Sequence, residues 1–158
     1  MTKFNEINSF DYAKLNKAFS EISSVYLGLT LIESGGVGNR PEAPFIVFDI
    51  ISPYIPIDTF FDESDEECFE AIVSFTSYSE TKNEALRITQ ALRKIINQFD
   101  VDLKLRKLNI VIAEIMPTNV RSIQEAVLDK FMVGFDVRLR LRETYSDPSI
   151  EIIKDVEL

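Results

Sequence analysis

The most regular pattern in the sequence is a strict alternation of apolar and polar residues near its end. In DKFMVGFDVRLRLRE, residues 129–143, the apolar side chains fall on odd positions: Phe131, Val133, Phe135, Val137, Leu139 and Leu141. The even positions carry Met132, Gly134, Asp136, Arg138, Arg140 and Arg142. A period of two is typical of a β-strand with one face in the core and one in solvent. The pattern therefore predicts a long strand whose arginines point outward.

Two amphipathic helices are predicted from apolar residues at three- and four-residue spacing. The first runs from Ser9 to about Tyr26, and Gly28 closes it unless residues 29–32 continue as a short strand. Ser9 or Asp11 is the expected cap. The second begins at Thr81, with Glu84 three residues later as in a capping box. Its expected apolar stripe is Ala85, Ile88, Leu92, Ile95, Ile96 and Phe99, and its expected solvated face is Lys82, Arg87, Arg93 and Lys94.

Three further strands are predicted at residues 45–52, 68–79 and 108–115, which are rich in β-branched and aromatic residues. Pro53 and Pro56 are expected to end the first of these strands. A flexible acidic loop, residues 53–67, is expected to begin there. Residues 120–129 are ambiguous between a short helix and an extended arm. The last residues, 147–158, are expected to form a C-terminal arm or a short strand.

These elements predict one domain over residues 1–158 with an α+β fold. We expect an antiparallel or mixed sheet of four to five strands with two main helices packed on it. The length suffices for a substantial core, and no internal repeat or linker divides the chain.

The composition excludes several classes of function. A net charge of −9, from 26 acids and 17 bases, disfavours nonspecific binding to nucleic acid or to anionic membranes. The chain has no histidine, which excludes hydrolases that need an imidazole base and removes the commonest zinc ligand. No apolar run is long enough for a membrane span or a secretion signal, and the single cysteine, Cys68, fits a reducing compartment. We predict no catalytic residue and no cofactor.

The three outward arginines are the strongest candidate for a functional surface. They would repeat about every 6.8 Å along the strand, where two such charges in water repel by only about 0.6 kcal/mol, so solvent alone tolerates them. Alternatively they pair with the acid-rich residues 58–70, within one subunit or between two. A phosphate ligand is disfavoured because Asp136 sits among the arginines and no aromatic residue is interleaved there. The candidate interface residues are Arg138, Arg140, Arg142, Asp58, Asp62, Glu63, Asp65, Glu66 and Glu67.

The acidic loop also has an enzymatic interpretation. Asp58, Asp62, Asp65 and Glu67 could hold a divalent cation, which makes a small carboxylate-dependent nuclease the alternative function. Their spacing lacks the turn glycine and the ordered ligands of a calcium loop. A third hypothesis is a binding module whose C-terminal arm adds a strand to a partner sheet.

The order of several segments resembles the bacteriophage neck or tail terminator family. These are Leu27-Gly28-Leu29, Asn39-Arg40-Pro41 leading through Pro44-Phe45 into a strand, EAIVSFTSYS before the capped helix, and FDVRLRLRETYSD. The resemblance implies a structural, non-enzymatic virion protein with an α+β fold, located in the tail or neck and assembled in the host cytoplasm.

The same resemblance implies a ring, commonly a hexamer, that caps the tail tube, ends its polymerisation and joins it to the head connector. The implied partners are other copies of the chain, the tail tube protein and the head-tail connector protein. DNA would pass through the ring without specific binding, and no membrane is involved.

Overall fold

A mixed β-sheet with helices on one face makes up the part of the chain that this computed structural model describes, namely residues 3–36, 40–57, 66–122 and 130–144. The helices are α1 (Ala13–Ile22), α2 (Lys82–Ile95) and α3 (Phe99–Lys107). The strands are β1 (Leu31–Glu33), β2 (Phe45–Pro56), β3 (Glu66–Ser79), β4 (Ile110–Ile115), β5 (Asn119–Val120) and β6 (Phe131–Thr144). The predicted α+β class is confirmed.

The sheet is built around the pairing of its two longest strands. Its order is β1-β2-β3-β6-β4, with β5 also on β6, and only β1 and β2 run parallel. β3 and β6 pair antiparallel without interruption from Glu66 opposite Thr144 to Ser79 opposite Phe131. β2 and β4 flank this pair, so its central part has a hydrogen-bonded neighbour on each side.

The core lies between the sheet and the helices, and the alternation of β6 determines which residues enter it. Val133, Phe135, Val137, Leu139 and Leu141 are buried, as predicted. The last four of these pack in one cluster with odd-numbered residues of β3 and with apolar residues of all three helices. Phe131 is an exception, because it is 39% exposed at the start of β6.

The first helix ends in a wide turn. α1 continues as a π-helical segment, Ser23–Leu27, and Gly28 closes it with a positive φ of 65°. The N-cap residue of α1 is Tyr12, not Ser9 or Asp11, although the Asp11 carboxylate accepts a hydrogen bond from the backbone N–H of Ala13 at 3.1 Å. The alternative of a short following strand is also confirmed, since β1 begins at Leu31.

The start of α2 follows the predicted capping pattern. The Thr81 hydroxyl accepts from the backbone N–H of Glu84 at 3.2 Å. The Glu84 carboxylate accepts from the buried Ser79 hydroxyl rather than from the Thr81 backbone. Phe99 does not extend the apolar stripe of α2, because it begins α3 and is 81% exposed. Arg93 is not simply solvated: its guanidinium donates to the backbone carbonyl of Met116 at 2.5 Å.

The prediction of a loop over residues 53–67 is wrong at both ends. Pro53 and Pro56 lie inside β2, while Glu66 and Glu67 begin β3. β1 pairs only with residues 46–48 of β2, so the rest of β2 has one free edge in the described sheet, and an edge tolerates proline. The pairing of β2 with β3 has two register shifts between Ile50 and Ile55. Residues 58–65 and the C-terminal arm, 147–158, lie outside the described residues.

We expect Thr81→Ala to lower the free energy of unfolding by about 1 kcal/mol, because the backbone N–H of Glu84 loses its side-chain acceptor. Urea denaturation monitored by circular dichroism measures the effect. Thr30→Ala, at an exposed position before β1, is the matched control and should change stability by less than about 0.5 kcal/mol. Equal effects of the two substitutions would contradict a capping role.

Candidate interface on the outer sheet face

The side of the sheet opposite the described helices carries the predicted arginines. We call it the outer sheet face and define it by the even-numbered residues of β3 and β6 with their neighbours on β2 and β4. Arg138, Arg140 and Arg142 all lie on it, as the alternation predicts. Arg140 and Arg142 are exposed and Arg138 is partly buried.

Arg138 and Arg140 share one carboxylate within the chain. Glu70 of β3 places one carboxylate oxygen 3.3 Å from Nη1 of Arg138 and the other 3.5 Å from Nη2 of Arg140. Its side chain is only 14% exposed, whereas that of Arg140 is 54% exposed. Glu114 of β4 adds a weaker contact, 3.6 Å from Nε of Arg138. The within-chain alternative is therefore observed for Arg138 and Arg140, and residues 58–65 are not needed for it.

The other predicted acids divide into two groups. Glu67 is exposed and accepts a hydrogen bond from the Tyr54 hydroxyl of β2. That hydrogen bond raises the pKa of Tyr54 to about 12. The Tyr54 ring stacks on Phe69 with centroids 4.7 Å apart, which fixes the hydroxyl near Glu67. Glu66 is the first residue of β3, and Asp58, Asp62, Glu63 and Asp65 lie outside the described residues.

Arg121 is a central residue of this face that the sequence patterns do not indicate. It follows β5, and its guanidinium reaches across the sheet to Asp136 at 2.8 Å and to the Thr76 hydroxyl at 2.9 Å. It also donates to the Ser74 hydroxyl. Gly134 makes room for it: a Cβ there would lie 3.0 Å from Nη1 of Arg121 and 2.2 Å from the carbonyl oxygen of Phe75. A glycine inside a strand is the signal that marks such a close approach.

The end of the face nearest the start of β6 is aromatic. Phe45 and Tyr78 stack with centroids 4.9 Å apart and an interplanar angle of 8°. Lys130 lies 5.3 Å from the Phe45 centroid and Arg40 lies 5.6 Å from the Tyr78 centroid, as in cation–π contacts. No aromatic residue lies among the even positions of β6, as expected, but this stacked pair on β2 and β3 lies at one end of the same face.

The outer sheet face is electropositive compared with the chain as a whole. Six described cations lie on or over it, namely Arg40, Arg121, Lys130, Arg138, Arg140 and Arg142. The acids with described side chains on the outer side of these strands are Asp49, Glu70, Glu114 and Asp136. A surplus of cations here contrasts with the overall charge of −9.

Neither a metal site nor a membrane span emerges from the described residues. Within residues 3–36, 40–57, 66–122 and 130–144, no three Cys, Asp or Glu side chains converge as a metal site would require. No helix in that part of the chain has the length and apolarity to cross a bilayer.

We expect Glu70→Gln to lower the free energy of unfolding by about 1 to 3 kcal/mol, because it removes the one carboxylate shared by Arg138 and Arg140 and turns an amide N–H₂ toward them. Glu114→Gln is the matched control. Its side chain is 60% exposed, so the expected loss is less than about 1 kcal/mol. Chemical denaturation compares the two variants, and a larger loss for Glu114→Gln would contradict the ranking.

The hydrogen bond from Tyr54 to Glu67 should be measurable, because it makes Tyr54 ionise at a higher pH than an ordinary tyrosine. Because it raises the pKa of Tyr54, its contribution to stability is complete below pH 10 and is lost as the pH rises toward about 12. We expect Glu67→Gln to shift this ionisation toward the ordinary tyrosine value of 10.0. Ultraviolet absorbance titration measures it, and Tyr54→Phe identifies the signal by removing it. Identical titrations of the wild type and Glu67→Gln would refute the assignment.

The comparisons with known proteins identify the family. The sequence matches the family model of the phage neck terminator proteins over residues 13–158. No curated protein matches it. One solved structure superposes with a TM-score of 0.42 at 10% sequence identity, over 89% of this chain and 99% of that chain, which is too weak a likeness to carry an argument. Because the family model spans nearly the whole sequence, the chain belongs to the phage neck terminator family.

Proposed function

We propose that copies of this chain form a closed ring that caps the tail tube of a phage. The proposed ring is a hexamer, as is common in the family. Membership of the neck terminator family gives the protein a structural role in the neck or tail of the virion, and the match over residues 13–158 is the observation that carries the proposal. In this proposal the ring ends tube polymerisation, binds the tail tube protein on one side and the head-tail connector protein on the other, and assembles in the host cytoplasm.

A closed ring needs heterologous contacts, in which one patch of a subunit meets a different patch of the next. We propose the outer sheet face as one of these patches. Its cation surplus and the 54% exposure of Arg140 support this, because Glu70 does not cover that side chain. The proposed counterpart is the acidic segment of the neighbouring copy, with Asp58, Asp62, Glu63, Asp65, Glu66 and Glu67.

Such contacts would contribute more to register than to affinity. Exposed ion pairs are worth less than about 1 kcal/mol each, yet opposite charges orient two subunits and disfavour wrong partners. The two arginines held by Glu70 are also pre-positioned, so less side-chain entropy is lost when a second carboxylate approaches. The negative charge of the chain is compatible with DNA passing through the ring without specific binding.

The decisive experiment removes two exposed cations from the outer sheet face. Arg140→Gln with Arg142→Gln should lower ring formation on isolated tail tubes roughly tenfold at low salt, and the difference should shrink at high salt. Rings are counted at tube ends by electron microscopy. The matched control is Arg87→Gln with Lys94→Gln, which removes two exposed cations from α2 and should have no effect.

Both double variants change the net charge by the same amount, so a difference between them reports the location of the charges. Urea denaturation verifies that each variant is folded. Normal rings from the outer-face variant would refute the interface. A wild-type chain that forms no ring on tail tubes, and leaves their ends open to further growth, would refute the proposed function itself.

A further inference from the structure

A second surface of the protein lies on the opposite side of the sheet, where α1 and its π-helical continuation meet α3. This α1–α3 groove has a volume of about 290 Å³. It is lined by Ala18, Glu21, Ile22, Val25, Tyr26, Lys104, Leu105, Lys107 and Leu108. Two of its apolar side chains are well exposed, Val25 at 64% and Leu108 at 40%.

The groove has fixed walls. At one end the Tyr26 hydroxyl donates to Asp100 of α3 at 2.7 Å, and Lys104 lies 5.4 Å from the centroid of the Tyr26 ring. Along the floor, Ile22 and Leu105 are buried in the core. The two helices are therefore held together through both polar and apolar contacts.

The chemistry of the groove selects an apolar ligand with negative charge. Its exposed apolar side chains, Val25 and Leu108, are aliphatic, and the charged residues of its lining are Lys104, Lys107 and Glu21. Apolar area that stays in water forgoes the stabilisation of burial, so an occupant with matching side chains would be favoured. An acidic occupant is preferred over a basic one because the rim has a cation surplus.

The sequence after β6 has this composition. SIEIIKDVEL, residues 149–158, contains Ile150, Ile152, Ile153, Val156 and Leu158, with three acids and one lysine. It offers aliphatic side chains for the floor and carboxylates for the two rim lysines. Its net negative charge would be attracted to this rim.

The segment is also long enough to reach a neighbouring molecule. β6 ends at Thr144, and 14 residues follow it, which can span up to about 46 Å when extended. A compact chain of this length has a radius of gyration of about 15 Å, so the span covers about one molecular diameter. The end of β6 also lies near the groove. Leu141 of β6 pairs with Ile110, which is two residues beyond Leu108 of the groove.

We propose that residues 149–158 of one copy bind in the α1–α3 groove of the next copy. This inference rests on the proposed ring and gives it a second heterologous contact, separate from the outer sheet face. Because the groove and that face lie on opposite sides of the sheet, a subunit can engage a neighbour through each. The segment would then act as a strap from one subunit to the next around the ring.

Disulfide trapping with the full-length chain tests the inference. In a Cys68→Ser background, Leu108→Cys and Ile153→Cys are placed in separate chains, which are mixed, assembled on tail tubes and exposed to a mild oxidant. Only binding between copies can join these two cysteines. The matched control replaces Leu108→Cys by Leu86→Cys, since Leu86 of α2 is also 40% exposed and lies outside the groove.

We expect the groove pair to give at least about tenfold more cross-linked product than the control pair, with the 108–153 linkage identified by mass spectrometry. A third sample carries Leu108→Cys and Ile153→Cys in one chain. Cross-linking only within that chain would refute exchange between copies, as would equal yields from groove and control pairs. Rings that form without the groove cross-link overturn the strap and leave the proposed function standing, whereas tubes without rings overturn the proposed function.

Discussion

The pairing of β3 with β6 is the constraint on which the rest of the structure depends. Fourteen consecutive residues of each strand face one another without a register shift. A shift by one residue would turn the buried aromatic and aliphatic side chains of β6 outward and bring Arg138, Arg140 and Arg142 into the core. The cost of burying unpaired guanidinium groups makes this register strongly preferred.

From this register both faces of the molecule follow. The inner side of the pair provides the surface on which α1, α2 and α3 pack, and Thr89 of α2 bonds to both strands, through the Ser77 hydroxyl and the Val133 carbonyl. The outer side brings Glu70 next to two arginines that are far from it in sequence. Core packing and surface charge are thus two consequences of one strand pairing, and a change that loosens it affects both.

Much of this architecture could be predicted from the sequence because β3 and β6 alternate so regularly and α2 begins with a capping pattern. α3 could not be predicted as a helix from its pattern of apolar residues. Its apolar residues, Phe99, Val101, Leu103 and Leu105, alternate like those of a strand, yet in the helix only Val101 and Leu105 are buried. The predicted length of β2 is too short, because the prolines predict the end of the strand, whereas a strand with a free edge is compatible with proline.

The candidate site was predictable only in part. The outward direction of the arginines follows from the alternation, but their partners depend on details of register. A register shift between Ile112 and Glu114 brings Glu114 opposite Arg138 on the outer side, whereas an unbroken alternation would have turned it toward the core. Nothing in the local sequence around Arg121 indicates that its side chain crosses the sheet.

The close approach of β3 and β6 at Gly134 has a consequence for how sequences of this fold can vary. A Cβ at position 134 would lie 2.2 Å from the backbone carbonyl oxygen of Phe75, a far tighter contact than the 3.0 Å to Nη1 of the Arg121 side chain. The backbone of β3 therefore requires glycine at 134 whatever residue stands at 121. In sequence relatives that keep this sheet, we expect the glycine to persist even where the arginine is replaced.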